Sequence, residues 1–154
     1  MELRGQISQA LKDAMKERDA VRLSTLRLIN AAIKDRDIEK RSEIGGEDDG
    51  VGDTEILTIL GKMVKQRHES ARAYEEGGRL ELAEKELAEI TVIEDFLPRQ
   101  LSEEETVSAV EKAVNEIGAS SIRDMGKVMG ELKSRYTGQM DFGKVGSMVK
   151  AKLS

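Results

Sequence analysis

The residues whose types and spacing could do chemistry gather late in the chain, in DMGKVMGELKSRYTGQMD from Asp124 to Asp141. Gly126–Lys127 invites comparison with a phosphate-cradling loop, in which backbone N–H groups wrap a phosphate and a lysine reaches its oxygens. That loop needs a glycine five residues earlier, Ser or Thr after the lysine, and a preceding strand. Here those two positions hold Ser121 and Val128, inside a helical pattern, so nucleotide hydrolysis is set aside. His68, the one histidine, stands in KMVKQRHES at the edge of an apolar stripe, where a packed or half-exposed ring is expected rather than a general base. Glu47–Asp48–Asp49 lacks the spacing of a calcium loop and reads as solvated. The absence of cysteine removes thiolate nucleophiles, thiolate metal sites and disulfides. No catalytic residue, metal or cofactor is expected.

What remains is a binding chemistry. At about 100° per residue, Met125, Val128, Met129, Leu132 and Tyr136 form one stripe. Arg123, Lys127 and Ser134 fall nearly opposite, with Gly126 and Gly130 together on the flank. Two interior glycines cost a short helix on the order of 2 kcal/mol relative to alanine. Either a neighbouring helix approaches closely there, or an outside partner meets exposed backbone among basic side chains; the pattern alone favours the first. The turn Thr137–Asp141 raises a similar choice. It leads into a helix N-terminus, where free N–H groups and the helix dipole favour an anion, and Lys144 lies one turn in. The alternative is an ordinary turn capped by Asp141.

These residues need elements to hold them, and the composition points to helices. Of 154 residues 36% are charged, only 3% are aromatic, none is Trp and one is Pro, which suits long solvated helices around a Leu, Ile, Val, Met and Ala core. The net charge of −5 is uneven: from Gly118 onward Arg123, Lys127, Lys133, Arg135, Lys144, Lys150 and Lys152 face only Asp124, Glu131 and Asp141. The start resembles no signal peptide and no run reaches the roughly 20 apolar residues of a membrane span, so a soluble cytoplasmic protein is expected.

Apolar periodicity predicts a first helix over Glu2–Arg18, with Leu3, Ile7, Ala10, Leu11, Ala14 and Met15 on one face. Asp19 caps a second, running to about Arg41, whose stripes Leu26/Ile29/Ile33 and Val21/Leu28/Ala32 predict neighbours on two sides. Gly45 to Asp53 reads as a loop that does not pack. Thr54 caps a third helix, ending at Gly77–Gly78, and a fourth spans Arg79–Phe96 with Leu80, Ala83, Leu87, Ile90 and Ile93 inward. Pro98 marks the boundary between residues 1–97, a bundle of about four helices, and 98–154, a three-helix domain. In the latter, Ser102 and Glu105 fit a capping box, with Val107, Val110, Val114 and Ile117 inward. The fold class is all-α.

Several blocks, in order, carry a family likeness: LKDAMKERDAVRLSTLRLINAAIK, ILGKMVKQRHESARAYEEGGR, IEDFLPRQLSEEE and SIRDMGKVMGELKSRYTGQMDFGKVGSMVKAKL. The chain resembles the YqeY-like family, within the GatB/YqeY domain group. Its last block resembles the tail domain of the B subunit of the tRNA-dependent Asp/Glu amidotransferase, which grips the outer corner of tRNA. The resemblance implies an N-terminal helical bundle followed by a three-helix tail domain, with Lys127, Gly130, Lys133, Arg135, Gly138 and Lys144 on the RNA-facing segment beside Arg123. One departure is Gln139, where the family usually has Lys or Arg after the turn glycine; one phosphate contact fewer lowers the salt slope by about one unit. A carbon–nitrogen ligase activity with glutamine as amido donor is also implied, but that enzyme's chemistry lies in other portions of the complex and no active site is recognisable here. The leading expectation is a non-catalytic tRNA-binding accessory protein, partnered by tRNA and by an amidotransferase or aminoacyl-tRNA synthetase assembly, with no membrane. The alternative is a protein–protein interaction module without RNA contact.

Overall fold

A computed structural model describes residues 2–44 and 50–154. Among them the chain forms seven α-helices and no strand: α1 (Leu3–Glu17), α2 (Ala20–Ile44), α3 (Asp53–Glu76), α4 (Leu80–Glu94), α5 (Glu103–Ile117), α6 (Met125–Tyr136) and α7 (Phe142–Leu153), with a 3-10 turn at Ile122–Asp124. They fall into two compact units, Met1–Leu97 and Pro98–Ser154. Among the described residues no helix is long and apolar enough to cross a membrane.

In the first unit, Arg18 ends α1 in the left-handed conformation (φ 57°) and the Asp19 carboxylate accepts from the Arg22 N–H at 3.1 Å, capping α2 as its sequence position predicts. Ile7, Ala10 and Ala14 of α1 pack with Leu26, Ile29 and Ile33 of α2 and Ile56 and Leu60 of α3 in one core. Side chains at the edges of the apolar stripes depart from expectation. Met15, Val21, Leu28, Leu80 and Leu87 are 41% to 61% exposed. A helical period finds the centre of a buried face but not its width. The α3 start also differs: Gly52 is the N-cap, Thr54 lies within the first turn, and the Asp53 carboxylate accepts from the Leu3 N–H at 3.1 Å. One largely buried ion pair, Arg67 Nε to Glu89 Oε2 at 2.9 Å, joins α3 to α4.

The loop expected not to pack does so at its described end. Val51 is only 4% exposed. Arg4 grips Asp37 with both terminal nitrogens at 3.0 Å and donates to the Val51 carbonyl, while the Val51 N–H reaches Asp37 Oδ1 at 2.8 Å. The hydrogen bond from Arg4, joined by the Val51 N–H, holds the Asp37 carboxyl below its usual range against the opposing effect of burial. Gly50, at φ +90°, is required: a β-carbon there would lie 2.7 Å from Asp37 Oδ1.

The second unit is assembled by local caps. The Ser102 hydroxyl accepts from the Glu105 N–H at 3.1 Å and the Glu105 carboxylate accepts from the Ser102 N–H at 3.0 Å, completing the capping box that starts α5. Arg99 grips the same carboxylate at 2.7 Å and, with the Ser102 N–H, holds Glu105 at about 2. Gly118 ends α5 at φ +71°. The core gathers Val110, Ala113, Val114, Val128, Leu132, Val145, Val149 and Leu153. Val107, expected inward, is 43% exposed because it lies on the side of α5 that borders a groove rather than the core. Two hydrogen bonds tie the segment after Pro98 to the α6–α7 turn: the Leu101 N–H donates to the Gln139 carbonyl at 2.9 Å and the Gln100 side-chain amide to that of Gly138.

Candidate nucleic-acid interface

Helix α6 carries the candidate face. Val128 and Leu132 are fully buried and Met125, Met129 and Tyr136 pack beside them, so the apolar stripe fixes which side of α6 faces out. Counting from Met125 at about 100° per residue, Lys133 lies near 80°, Gly126 near 100°, Gly130 near 140°, Ser134 near 180° and Lys127 near 200°. All five are exposed. The two glycines therefore form a bare strip of backbone with a lysine on each side.

The close-packing account of these glycines does not hold. A β-carbon added at Gly126 or Gly130 would meet nothing within 4 Å outside the helix's own backbone. For comparison, a β-carbon at Gly146 of α7 would touch the methyls of Met125 and Met129 at 3.8 Å, an ordinary packing contact. Each exposed glycine thus costs α6 about 1 kcal/mol relative to alanine with no internal packing in return.

The basic residues divide into two groups. Lys127, Lys133 and, on the 3-10 turn, Arg123 are exposed and make no ion pair within 4.0 Å among the described residues. Lys127 does act at longer range on Asp124, whose carboxyl is held low chiefly by hydrogen bonds from the Ser120 and Ser121 N–H groups and secondarily by that lysine. Arg135, near 280° on α6, points away from the glycine strip. Its guanidinium is held between Glu116 of α5 at 2.9 Å and Glu131 at 2.6 Å. Lys144 pairs with Glu103 at 3.1 Å.

The turn after α6 resolves to the plainer of its two readings. The Asp141 carboxylate accepts from the N–H groups of Gly143 at 3.0 Å and Lys144 at 3.4 Å, placing a negative charge where an anion would sit. Gly138 sits at φ +78°, a conformation that favours glycine, and its carbonyl is taken by Gln100. Gln139 uses its N–H and carbonyl within the same turn, bonding Tyr136 and Leu101. Gly138 is a turn residue by geometry, and the anion seat at α7 is filled by the chain itself.

His68 is exposed. Glu47–Asp48–Asp49 lies outside the described residues. Among the residues described, no group of three or more His, Asp or Glu side chains is placed to hold a metal ion. Gly126 and Ser134 share the strip with Gly130 at i, i+4, i+8 spacing.

Comparison with known proteins concerns the chain as a whole. A family model described as Yqey-like protein matches residues 4–153. A Clavispora lusitaniae protein named Altered inheritance of mitochondria protein 41, mitochondrial, is 34% identical over 112 residues, covering 71% of this chain and 61% of the relative. The Kluyveromyces lactis protein of the same name is 28% identical over 90 residues, 58% of this chain and 45% of the relative. An uncharacterised Schizosaccharomyces pombe protein is 29% identical over 100 residues, 65% of this chain and 76% of the relative. The chain therefore spans less than two thirds of the length of the two mitochondrial relatives. Their names overturn the cytoplasmic expectation: the lack of a long apolar helix among the described residues does not choose a compartment. Matched from Arg4 to Leu153, this chain belongs to the YqeY-like family.

Proposed function

We propose that this chain is a non-catalytic tRNA-binding accessory protein whose C-terminal unit acts as a tRNA grip akin to the amidotransferase tail domain. One observation carries the reading: Gly126 and Gly130 are open to solvent on α6, between Lys127 and Lys133. A bare helix backbone lets a sugar–phosphate chain approach closely, and two flanking ammoniums supply the sequence-independent attraction that dominates nucleic-acid affinity. With aromatics at 3%, recognition works by backbone and shape rather than by stacking on splayed bases. The four-helix N-terminal part docks the protein assembly, an amidotransferase or an aminoacyl-tRNA synthetase. The carbon–nitrogen ligase label then belongs to that assembly.

A second reading, a protein–protein module without RNA contact, draws support from Arg135 and Lys144, whose charges are already met by Glu116, Glu131 and Glu103. The two readings separate in a titration of the full chain against unfractionated tRNA at low and physiological salt. The tRNA reading predicts binding whose logarithm falls with log salt at roughly 0.7 to 0.9 per phosphate contacted, and its loss in Lys127→Glu/Lys133→Glu. No binding at low salt, with helicity intact, contradicts it.

A further inference from the structure

The seam between α5 and α7, apart from the α6 strip, has a pattern the proposed function does not use. Two ion pairs cross it: Glu103 to Lys144 at 3.1 Å and Glu111 to Lys152 at 3.6 Å. Both join residues 41 positions apart, so α5 and α7 run parallel in one register. Val107 and Met148, also 41 apart, stand between the two pairs. At about 1.5 Å per residue the ion pairs are ~12 Å apart along the helices. At its Glu103–Lys144 end the window between them meets a groove of about 380 Å³ walled by Leu101, Val107, Met140, Val145 and Met148, with Glu103 and Lys144 themselves on its lining. Val107 is 43% exposed, an apolar side chain in open view on a unit that buries its other α5 valines.

We infer that this seam is where two copies of the chain associate, about a two-fold axis parallel to α5 and α7. The charge pattern selects the occupant. The α5 edge carries carboxylates, Glu103 and Glu111; the α7 edge carries ammoniums, Lys144 and Lys152. A two-fold axis along the seam lays α5 of one copy over α7 of the other. Each carboxylate row then meets an ammonium row at matched height, and Val107 of one copy packs on Met148 of the other. An axis across the seam would stack like charges and is disfavoured. The arrangement is isologous, one patch meeting itself, as closed dimers require. Its polar rim and small apolar centre follow the usual anatomy of an interface. The window is smaller than the roughly 800 Å² per partner of a standard interface, and exposed ion pairs contribute little strength, so the dimer is weak and sensitive to concentration and salt. Lys127, Gly130 and Lys133 do not line the groove, which leaves the α6 strip free in the dimer.

Sedimentation equilibrium of the full chain, from micromolar to near-millimolar concentration at low salt, tests this. The expected result is a dimer fraction that rises with concentration and falls with added salt. Val107→Lys and, separately, Lys152→Glu weaken association at least about tenfold with helicity unchanged. Glu111→Lys/Lys152→Glu together, which restores the alternation, returns the dissociation constant to within about threefold of the parent. A monomer over the whole range overturns the proposal. So does a dimer that ignores Val107→Lys and Lys152→Glu, or a double reversal that fails to recover it.

Discussion

Two glycine sites, one in each unit, sit among positive charge in opposite ways. In the first, Gly50 is locked: its φ of +90° and the nearness of Asp37 leave no room for a side chain, and the neighbouring Arg4 is satisfied by Asp37 and Val51. Gly126 and Gly130 of the second unit have ordinary helical surroundings and empty space beyond them, between lysines that pair with no carboxylate among the described residues. One glycine serves the fold. The other two work against it, with no packing among the described residues to offset their cost. Comparing glycines by what a β-carbon would meet separates the two cases where residue type cannot.

The largest effect should come at the lock. Gly50→Ala forces a side chain into a left-handed conformation and against the Asp37 carboxylate, so chemical denaturation should show a loss of ~2–3 kcal/mol. Stability unchanged to within a few tenths would dissolve the contrast between the two kinds of glycine.

Asp37→Asn probes the same lock more gently. It leaves a neutral acceptor for Arg4, which is 38% exposed, so the expected loss near neutral pH is about 1 kcal/mol. The folded-state pKa of Asp37 lies below its unfolded value near 4. Its contribution is therefore present above pH about 4 and disappears as pH falls through the lower folded value. The parent and the variant should converge in stability on acidification; parallel curves would remove the ion pair from the account.

The smallest effect sharpens the division among the cations. Arg135→Ala should leave the salt dependence of tRNA binding nearly unchanged, because Glu116 and Glu131 already meet that charge, whereas Lys133→Ala should lower the slope by about one unit. Equal losses from both would erase the distinction between engaged and available cations.

These contrasts were only partly legible in the sequence. Asp19, Ser102 and Asp141 could be read as caps because capping is local, a side chain bonding an N–H two or three residues on. Burial at Val107 and Leu87 could not, since periodicity does not say how far a neighbouring helix reaches across a face. Val51 was misjudged because its partners, Arg4 and Asp37, come from two distant helices. The candidate site was half visible. Lys127, Gly130 and Lys133 could be placed on one side of α6 by counting, but the capture of Arg135 by Glu116 requires knowing that α5 and α6 are neighbours.

In the tRNA-binding reading, Gly126 and Gly130 are kept for an outside partner at the expense of the helix. The most direct test is Gly126→Ala/Gly130→Ala, with tRNA affinity and unfolding free energy measured on the same preparation. Opposite movements are expected: stability rises by about 1–2 kcal/mol, from replacing glycine by alanine in an exposed helix interior, while affinity for tRNA falls. A gain in stability with affinity unchanged would contradict the claim and leave the strip without a role in RNA binding.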